Sequence, residues 1–488
     1  MTILAPGIQL IDRLCLAGKL RRYSYTILAF LVSYLAYVGY HMGRVPVSVV
    51  ENDKLFLDCS TNSTEEDPIC TSWITEMDQV PKSEARRKLG YLKTFWGFAY
   101  AIFMFLSGYI GDRMELRHFL SGSLLLYGVT VYLFGVAQAW GIHSIWYFYA
   151  AMFLQGALSS TGWPGVVAAY GNWVGEGTRG TLMGVWTSNA FVGNILGREL
   201  AGDFLGYGWG NSFALLALII GVSGFVVFLF LVPNPSDVGV ASESASINSD
   251  KEIAKADTED HDNAVSFLQA FLIPGVIEFS LCLFFSKFVI YTFLFWLPSY
   301  IHDMSGVDAE GSGSMANFFE YGGIIGGILA GFVTDKTGKS ALVCGCCLLL
   351  AIPLMLIYET MVRDWCPLSV LVSGTGFIHD SCYGWNIFLL TCVGILVSGP
   401  YALITSAISA DLGTQESLQG SKALATVSAI INGTGSIGGA LGPFTAGYLP
   451  ARYLFTMVMV SDAIALLFLS RLIKHDIQKI FGNGDGQT

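Results

Sequence analysis

The chain has 488 residues, of which 53% are hydrophobic and only 13% are charged, and its formal net charge is −11. A soluble protein of this length would carry about 25% charged residues, so the composition excludes an ordinary soluble protein. Apolar stretches of about 20 residues, the length that crosses a bilayer as a helix, recur along the whole chain. The sequence therefore predicts an all-α membrane protein with many transmembrane helices.

Twelve apolar segments are long enough to span a membrane, in two groups of six. The first group consists of Thr26–Val50, Gly90–Ile110, Phe119–Gln138, Ile145–Tyr170, Gly180–Asp203 and Ser212–Val232. The second group consists of Phe271–Tyr300, Ser314–Val333, Ala341–Tyr358, Trp385–Ala410, Lys422–Tyr448 and Tyr453–Leu472. We expect two pseudo-symmetric six-helix bundles, residues 26–232 and 267–473, preceded by segment 1–25 and followed by a tail, 474–488.

Residues 233–266 separate the two groups and are rich in Asp, Glu, Ser and Asn, without hydrophobic periodicity. This composition predicts a disordered linker. Because the segment supplies much of the net negative charge, that charge gives no reason to expect a nucleic-acid partner. The lipid bilayer is the expected environment.

Basic residues near the span ends predict the orientation, because they are retained on the cytosolic side of a membrane. Twelve spans place one group of them on the same side: Lys19, Arg21, Arg22, Arg113, Arg117, Arg179, Lys336, Lys339, Lys474 and Lys479. We therefore expect both termini and the linker in the cytosol, although the basic residues 86–88 oppose this arrangement. The first span is too long for a cleavable signal peptide and is expected to act as an anchor.

The loop 51–89 is then expected on the lumenal or exoplasmic side. It carries a glycosylation sequon at Asn62 and the cysteines Cys59 and Cys70. A second loop on this side carries Cys366 and Cys382. In an oxidising compartment each pair either forms a disulfide or remains as free thiols.

Two basic residues lie deep inside predicted spans. Arg44 belongs to the first span, and Lys287 lies in the middle of the seventh. A cation in a membrane helix costs roughly 2.5–3.5 kcal/mol by insertion scales, so it must face a cavity, a partner or a ligand. One such cation in each half predicts an anionic substrate between the halves.

An internal repeat supports the division into two halves. The second and eighth spans end in similar runs, Gly108 to Arg117 and Gly331 to Lys339, and each run contains an Asp followed by a basic residue: Asp112-Arg113 and Asp335-Lys336. These residues are expected to act as a conformational latch between neighbouring helix ends. Twelve spans with this loop in both halves resemble the major facilitator superfamily, whose members bind substrate near the midplane.

Further motifs narrow the resemblance. They are the runs 40–44 (YHMGR), 159–164 (SSTGWP), 192–197 (VGNILG), 291–298 (YTFLFWLP), 399–404 (GPYALI), 407–413 (AISADLG) and 432–438 (NGTGSIG). Together they resemble the eukaryotic sugar-phosphate exchangers of the organophosphate:phosphate antiporter family, particularly the glucose-6-phosphate branch. The resemblance implies exchange of a sugar phosphate for inorganic phosphate, an endoplasmic reticulum address, and no cofactor or metal ion.

The resemblance also implies site residues. Arg44 matches the phosphate-binding basic residue of the first helix. Lys287 lies one turn from Ile290, the position at which bacterial relatives carry a second arginine. Other positions at or beside the site are Tyr37, His41, Tyr100, Trp163, Asn189 and Tyr291. For the aromatic residues, packing within the bundle is the alternative role.

Charge neutralisation would couple the two substrates. A phosphate monoester carries roughly −1.5 to −2 charge near pH 7. Without it, two like charges that face one cavity resist closure, which favours obligatory exchange.

Alternatives remain open at this stage. A proton-coupled organic-anion symporter of the same fold would need a titrating acid, for which Glu320 is the candidate, although Glu320 also suits a pair with Lys287 or a helix–helix contact. A non-transporting sensor or scaffold would need a decayed site or a folded soluble domain. Arg198 and Glu199 suggest a local ion pair. The sequence shows no catalytic or metal-binding constellation, so an enzyme is not expected.

Overall fold

The computed structural model describes residues 5–8, 19–53, 56–59, 68–75, 78–111, 113–171, 173, 185–239, 271–305, 307–362, 377–409, 412 and 424–482. Most of the predicted linker lies outside these ranges, as do Asn62, Asp112 and Cys366. The described residues are almost entirely helical.

Six predicted spans of the N-terminal half correspond to eight helices, because two of the spans are broken. The helices are α1 (Lys19–Met42), α2 (Pro46–Val50), α3 (Lys82–Gly111), α4 (Leu116–Trp140), α5 (Ile145–Ser159), α6 (Gly162–Gly171), α7 (Asn189–Asp203) and α8 (Trp209–Phe230).

The C-terminal half contributes six long helices. They are α9 (Val276–Ser305), α10 (Ala309–Thr337), α11 (Ser340–Thr360), α12 (Phe377–Leu403), α13 (Leu424–Gly447) and α14 (Leu454–Gly482). A π-helical turn, Ile404–Ile408, continues α12. The last helix runs ten residues beyond the predicted twelfth span.

Within the described ranges, eight helical segments are long and apolar enough to cross a membrane by length and composition, and they lie on α1–α2, α4, α8, α9, α10, α11, α12 and α14. Large exposed aromatic side chains mark the helix ends on the side of the loop 51–89. They are Trp140, Trp146, Tyr207 and Trp385, with exposed fractions of 67%, 73%, 75% and 54%. Such side chains concentrate where a membrane meets water, so this end of the bundle coincides with one membrane interface.

The first predicted span is divided in two between Met42 and Pro46. Proline has no backbone N–H and disfavours helical geometry in the residue before it, so α2 begins afresh at Pro46. Arg44 lies in this break and is held inside the protein, 6% exposed. The fourth predicted span is likewise divided, at Ser160 and Thr161.

A small antiparallel sheet occupies the loop after α2. Its strands are β1 (Leu57–Cys59), β2 (Ile69–Ser72) and β3 (Gln79–Pro81), in the order β1-β2-β3. A disulfide joins Cys59 to Cys70, which lie opposite each other in the register. Cys382 is also disulfide-bonded. Trp73 follows β2, donates a hydrogen bond to the Ile142 carbonyl at 2.8 Å, and thereby fixes the sheet to the turn between α4 and α5.

Glycine faces allow several helices to pack backbone to backbone. A Cβ on Gly326 of α10 would lie 2.1 Å from the Ile395 carbonyl oxygen of α12. Across the two halves, a Cβ on Gly97 of α3 would lie 2.9 Å from the Cα of Ala440 on α13. Close approach of this kind stabilises helix pairs in a bilayer, where no hydrophobic force draws them together. The halves meet along two such pairs, α3 with α13 and α7 with α10.

Replacing Gly326 with alanine should lower the melting temperature of the purified protein, because the new methyl group collides with backbone. Overpacking of this kind costs roughly 1–3 kcal/mol. Gly331→Ala on the same helix is the matched control, since a Cβ there meets nothing within 4 Å. Thermal unfolding in detergent measures both variants. Equal melting temperatures for the two would contradict the close packing described for Gly326.

Candidate functional site

Arg44 lies between the two halves without a carboxylate partner among the described residues. Its Nε donates to Asn194 Oδ1 at 3.2 Å, and its Nη1 donates to the hydroxyl of Tyr291 at 3.3 Å. The guanidinium carbon lies 5.3 Å from the centre of the Tyr291 ring. The positive charge is therefore held by neutral groups, an arrangement that leaves it available to an anion.

Lys287 shows the same pattern one helical turn from Tyr291. It is 4% exposed, and its Nζ lies 3.4 Å from the Asn432 carbonyl oxygen and 3.3 Å from Ser436 Oγ. Both acceptors are neutral and belong to α13. Because Tyr291 contacts Arg44, the two cations predicted from the sequence face the same region between the halves.

Aromatic rings surround Arg44 on the N-terminal side. Tyr37 contacts the ring of His41 at 4.5 Å and that of Trp163 at 5.9 Å between centroids. Tyr37 also stacks on Trp186 at 5.5 Å. Tyr37 and His41 lie on α1 within two turns of Arg44, so helical spacing places these rings beside the cation.

A second stack reaches the site from α3. Tyr100 stacks on Trp96 at 5.2 Å, and Trp96 lies 6.2 Å from Tyr291. Tyr100 also lies close enough to Tyr37 to interact with it electrostatically. The predicted residues Tyr37, Tyr100 and Tyr291 therefore come together from three helices.

Asn189 is fully buried at the start of α7, and neither its amide nitrogen nor its oxygen has a hydrogen-bond partner among the described residues. A buried amide left without a partner costs roughly 1–3 kcal/mol. This side chain would therefore gain from a polar ligand.

Arg198 and Glu320 form a buried ion pair that the sequence did not reveal. Arg198 Nη1 lies 3.0 Å from Glu320 Oε1, and both side chains are at most 3% exposed. The expected pair of Arg198 with its neighbour Glu199 is wrong, because Glu199 accepts hydrogen bonds from Ser314 and Asn317 instead.

The suggested pairing of Glu320 with Lys287 is also not observed, because both carboxylate oxygens of Glu320 are engaged by α7. Oε1 pairs with Arg198, and Oε2 accepts from Asn194 Nδ2 at 3.0 Å. Pro298, inside α9, explains a further contact of the arginine. It cannot donate to the Leu294 carbonyl one turn earlier, so that oxygen is free to accept from Arg198 Nη2 at 3.0 Å.

Lys93 is a further buried cation, and it lies in the predicted second span. Its Nζ, fully buried, contacts the Glu51 carboxylate at 2.7 Å and the Phe295 carbonyl at 2.9 Å. It also lies 3.4 Å from the centre of the Trp296 ring. Ser299 donates to the same carboxylate. A basic residue inside an apolar span was the signal that identified Arg44 and Lys287, and it would have identified Lys93 as well.

A second set of ion pairs lies nearer the loop 51–89. Asp303, at the end of α9, accepts from Lys82 Nζ at 2.7 Å and from Arg86 Nη1 at 3.1 Å. Arg86 also lies over the Trp296 ring at 4.4 Å. These contacts explain why basic residues precede the second span against the charge rule, and why α3 begins eight residues earlier than the predicted span. We call these two sets of contacts the loop-side lock: Glu51, Lys82, Arg86, Lys93, Ser299 and Asp303.

The predicted latch residues lie at the opposite ends of the helices. Arg113, Asp335 and Lys336 are exposed, and Lys336 packs over Phe332 of its own helix at 4.3 Å. Asp112 lies outside the described residues. The latch therefore stays a prediction.

The fold is shared with solved transporters. A crystal structure of a D-xylose–proton symporter superposes with a TM-score of 0.61 at 15% identity, covering 92% of this chain and 97% of that one. A bacterial homologue of the human lysosomal transporter Spinster, solved inward-facing and unoccupied, gives 0.59 at 14% identity, covering 94% and 99%. At this identity the similarity shows the fold alone.

Sequence comparison is more specific. The model of the Major Facilitator Superfamily matches residues 83–443. Glucose-6-phosphate exchanger SLC37A2 of Xenopus laevis is 40% identical over 98% of this chain and 97% of its own length. The human SLC37A2 protein is 41% identical over 92% of each chain, and the human glucose-6-phosphate exchanger SLC37A1 is 38% identical over 93% of each. The chain is therefore a transporter rather than an enzyme, and it belongs to the Major Facilitator Superfamily and, within it, to the family of glucose-6-phosphate exchangers.

Proposed function

We propose that this protein exchanges a sugar phosphate similar to glucose-6-phosphate for inorganic phosphate across a membrane, by alternating access. One observation carries the proposal. Arg44 and Lys287 are buried between the halves with only neutral acceptors among the described residues, whereas Arg198 and Lys93 are paired with carboxylates. The first two cations are the ones that a phosphate would neutralise.

The chemistry of the two cations suits a phosphate monoester. The planar guanidinium of Arg44 offers parallel N–H groups to two phosphate oxygens, and the ammonium of Lys287 adds a point charge on a flexible stem. A ligand of roughly −2 charge offsets both. Without a ligand, the two cations repel each other when the halves close around them. The empty carrier then does not reorient across the membrane, and exchange becomes obligatory.

The sugar ring would meet the aromatic side chains and amide around Arg44. Tyr37, Tyr100 and Trp163 offer faces for ring packing, and phenol hydroxyls for hydrogen bonds. Asn189 offers an amide with no other partner among the described residues. Inorganic phosphate needs only the cations, so one site serves both substrates.

Alternating access would require the loop-side lock to break. In the described conformation, α9 of the C-terminal half is bound on this side by the ends of α2 and α3. Opening toward the loop 51–89 separates Asp303 from Lys82 and Arg86, the Phe295 carbonyl from Lys93, and Ser299 from Glu51. The repeated pairs Asp112-Arg113 and Asp335-Lys336 would hold the opposite side in the alternate state, although Asp335 and Lys336 lie in the last turn of α10 rather than in the predicted loop.

Proton-coupled symport of an organic anion is the rival function. Its candidate acid, Glu320, already accepts hydrogen bonds from Arg198 and Asn194 with its two carboxylate oxygens. Asp462 of α14 is fully buried, and neither carboxylate oxygen has a partner among the described residues. This carboxyl is the remaining acid that a proton-coupled mechanism would use. A sensor or scaffold role is less well supported, because both cations of the site are in place.

Family membership supports an endoplasmic reticulum location with both termini in the cytosol. The loop 51–89, with its sequon at Asn62 and its disulfide, would then face the oxidising lumen.

Labelled phosphate should enter liposomes that carry the purified protein only when they are preloaded with phosphate or glucose-6-phosphate. The reason is that only an anion-loaded carrier can reorient. Uptake into empty liposomes, or uptake driven by a proton gradient and lost in Asp462→Asn, would contradict exchange and favour the symporter.

Arg44→Ala and Lys287→Ala should each reduce phosphate exchange by about 100-fold, since two hydrogen bonds to a charged group contribute roughly 3 kcal/mol or more. Arg471→Ala is the matched control, because this arginine is 81% exposed and pairs with Glu278 on the surface. Exchange rates in liposomes, normalised to inserted protein, give the comparison. Normal exchange by both site variants would remove these two residues from the site.

Lys93→Ala should open the side of the loop 51–89, because it leaves Glu51 buried without its partner, at a cost of about 3–5 kcal/mol. A reporter cysteine at Val49, a fully buried residue that contacts Gly313 across the halves, should then react faster with a membrane-impermeant maleimide added on that side. Glu84→Ala, which breaks an exposed ion pair within α3, is the control. Unchanged labelling after Lys93→Ala would argue against the lock.

A further inference from the structure

Asn194 lies where the buried Arg44 meets the ion pair that joins the two halves. It is 3% exposed and sits on α7, one turn before Arg198. Its neighbour Gly193 allows α7 to approach α1 closely, since a Cβ there would lie 2.7 Å from the Val38 carbonyl oxygen. This close packing brings the Asn194 amide against Arg44.

The chemistry of its two partners fixes the orientation of the amide. Arginine only donates hydrogen bonds, and an ionised carboxylate only accepts them. Oδ1 must therefore face Arg44 Nε, at 3.2 Å, and Nδ2 must face Glu320 Oε2, at 3.0 Å. Aspartate in this position would repel Glu320, and an apolar residue would release both partners. Asparagine satisfies both at once.

The result is a continuous chain of hydrogen bonds from the anion site to the opposite half. It runs from Arg44 through Asn194 to Glu320, and Glu320 is also paired with Arg198 at 3.0 Å. Arg44 and Asn194 belong to the N-terminal half and Glu320 to the C-terminal half. An anion that moves the Arg44 guanidinium therefore also displaces Asn194, which donates to Glu320 of the ion pair between the halves.

We propose that Asn194 is a positioning residue that couples the occupancy of Arg44 to the Arg198–Glu320 ion pair. By holding Nε, it directs the Nη groups toward the incoming anion. When the anion engages Arg44, the Nε–Oδ1 bond lengthens, Asn194 turns, and Glu320 loses one of its donors. The contact of α7 with α10 weakens, and the halves are released to move. The proposal rests on the proposed function in taking phosphate as the anion.

The test follows the conformational response to inorganic phosphate rather than activity. In the Val49→Cys reporter protein, saturating phosphate should change the rate of maleimide labelling from the side of the loop 51–89 by at least about threefold. Adding Asn194→Ala should abolish that change in labelling. Phosphate should still raise the melting temperature, because it still binds the site but no longer alters the contact between the halves. Asn386→Ala is the matched control, since this buried asparagine donates within its own helix to the Cys382 carbonyl.

Each other outcome decides against the coupling. A full phosphate response of labelling in Asn194→Ala would overturn it, as would the absence of any response in the Val49→Cys protein itself. Loss of the phosphate-induced thermal shift would show that Asn194 only orients Arg44. Should Asn194→Ala fail to fold, Asn194→Leu, which has a similar volume and neither a donor nor an acceptor, takes its place with the same expectation. Failure of exchange in liposomes would reject the proposed function separately, because labelling and melting do not depend on transport.

Discussion

Removing a charge from water is so unfavourable that a buried cation needs compensation, and the mode of compensation divides four buried cations of the described residues into two kinds. Lys93 and Arg198 have carboxylate partners in close contact. Arg44 and Lys287 are surrounded by hydroxyls, carbonyls and an amide. Cations of the first kind also contact the opposite half, Arg198 through Glu320 and Lys93 through the Phe295 carbonyl. Cations of the second kind are the ones proposed to bind an anion.

The helix α9 carries, at regular intervals, groups that contact the lock residues and Arg44. Asp303, Ser299, Phe295, Tyr291 and Lys287 follow one another at intervals of four residues, so neighbouring members lie about one turn apart and the row winds gradually around the helix. From the loop end inward, the first four contact Lys82 and Arg86, then Glu51, then Lys93 through a backbone carbonyl, then Arg44. The row is roughly 24 Å long at 1.5 Å per residue. The lock and the candidate site thus lie on successive turns of one helix, so a tilt of α9 changes both together.

Much of this architecture could be predicted from the sequence, and the features that could not be predicted have physical reasons. Apolar length placed the twelve spans, and the cost of a buried cation identified Arg44 and Lys287. The break at Gly43–Val45 was missed although Pro46 signals it. The partner of Arg198 could not be inferred, because Glu320 lies more than a hundred residues away and a local carboxylate, Glu199, offered a simpler pairing. Ion pairs between helices depend on how the helices pack, and the hydropathy pattern does not specify this packing.

In the loop after α2, the two flanks contact the opposite half, whereas the sheet between them contacts its own half. Glu51 precedes the sheet and Lys82 follows it directly, so the N-terminal half supplies its lock residues from the two flanks of the loop. Between them, the Cys59–Cys70 disulfide and the Trp73 contact with Ile142 tie the loop to its own half. The segment between those anchors is therefore free to diverge in length and sequence during evolution, whereas its flanks are constrained by a partner on the opposite half.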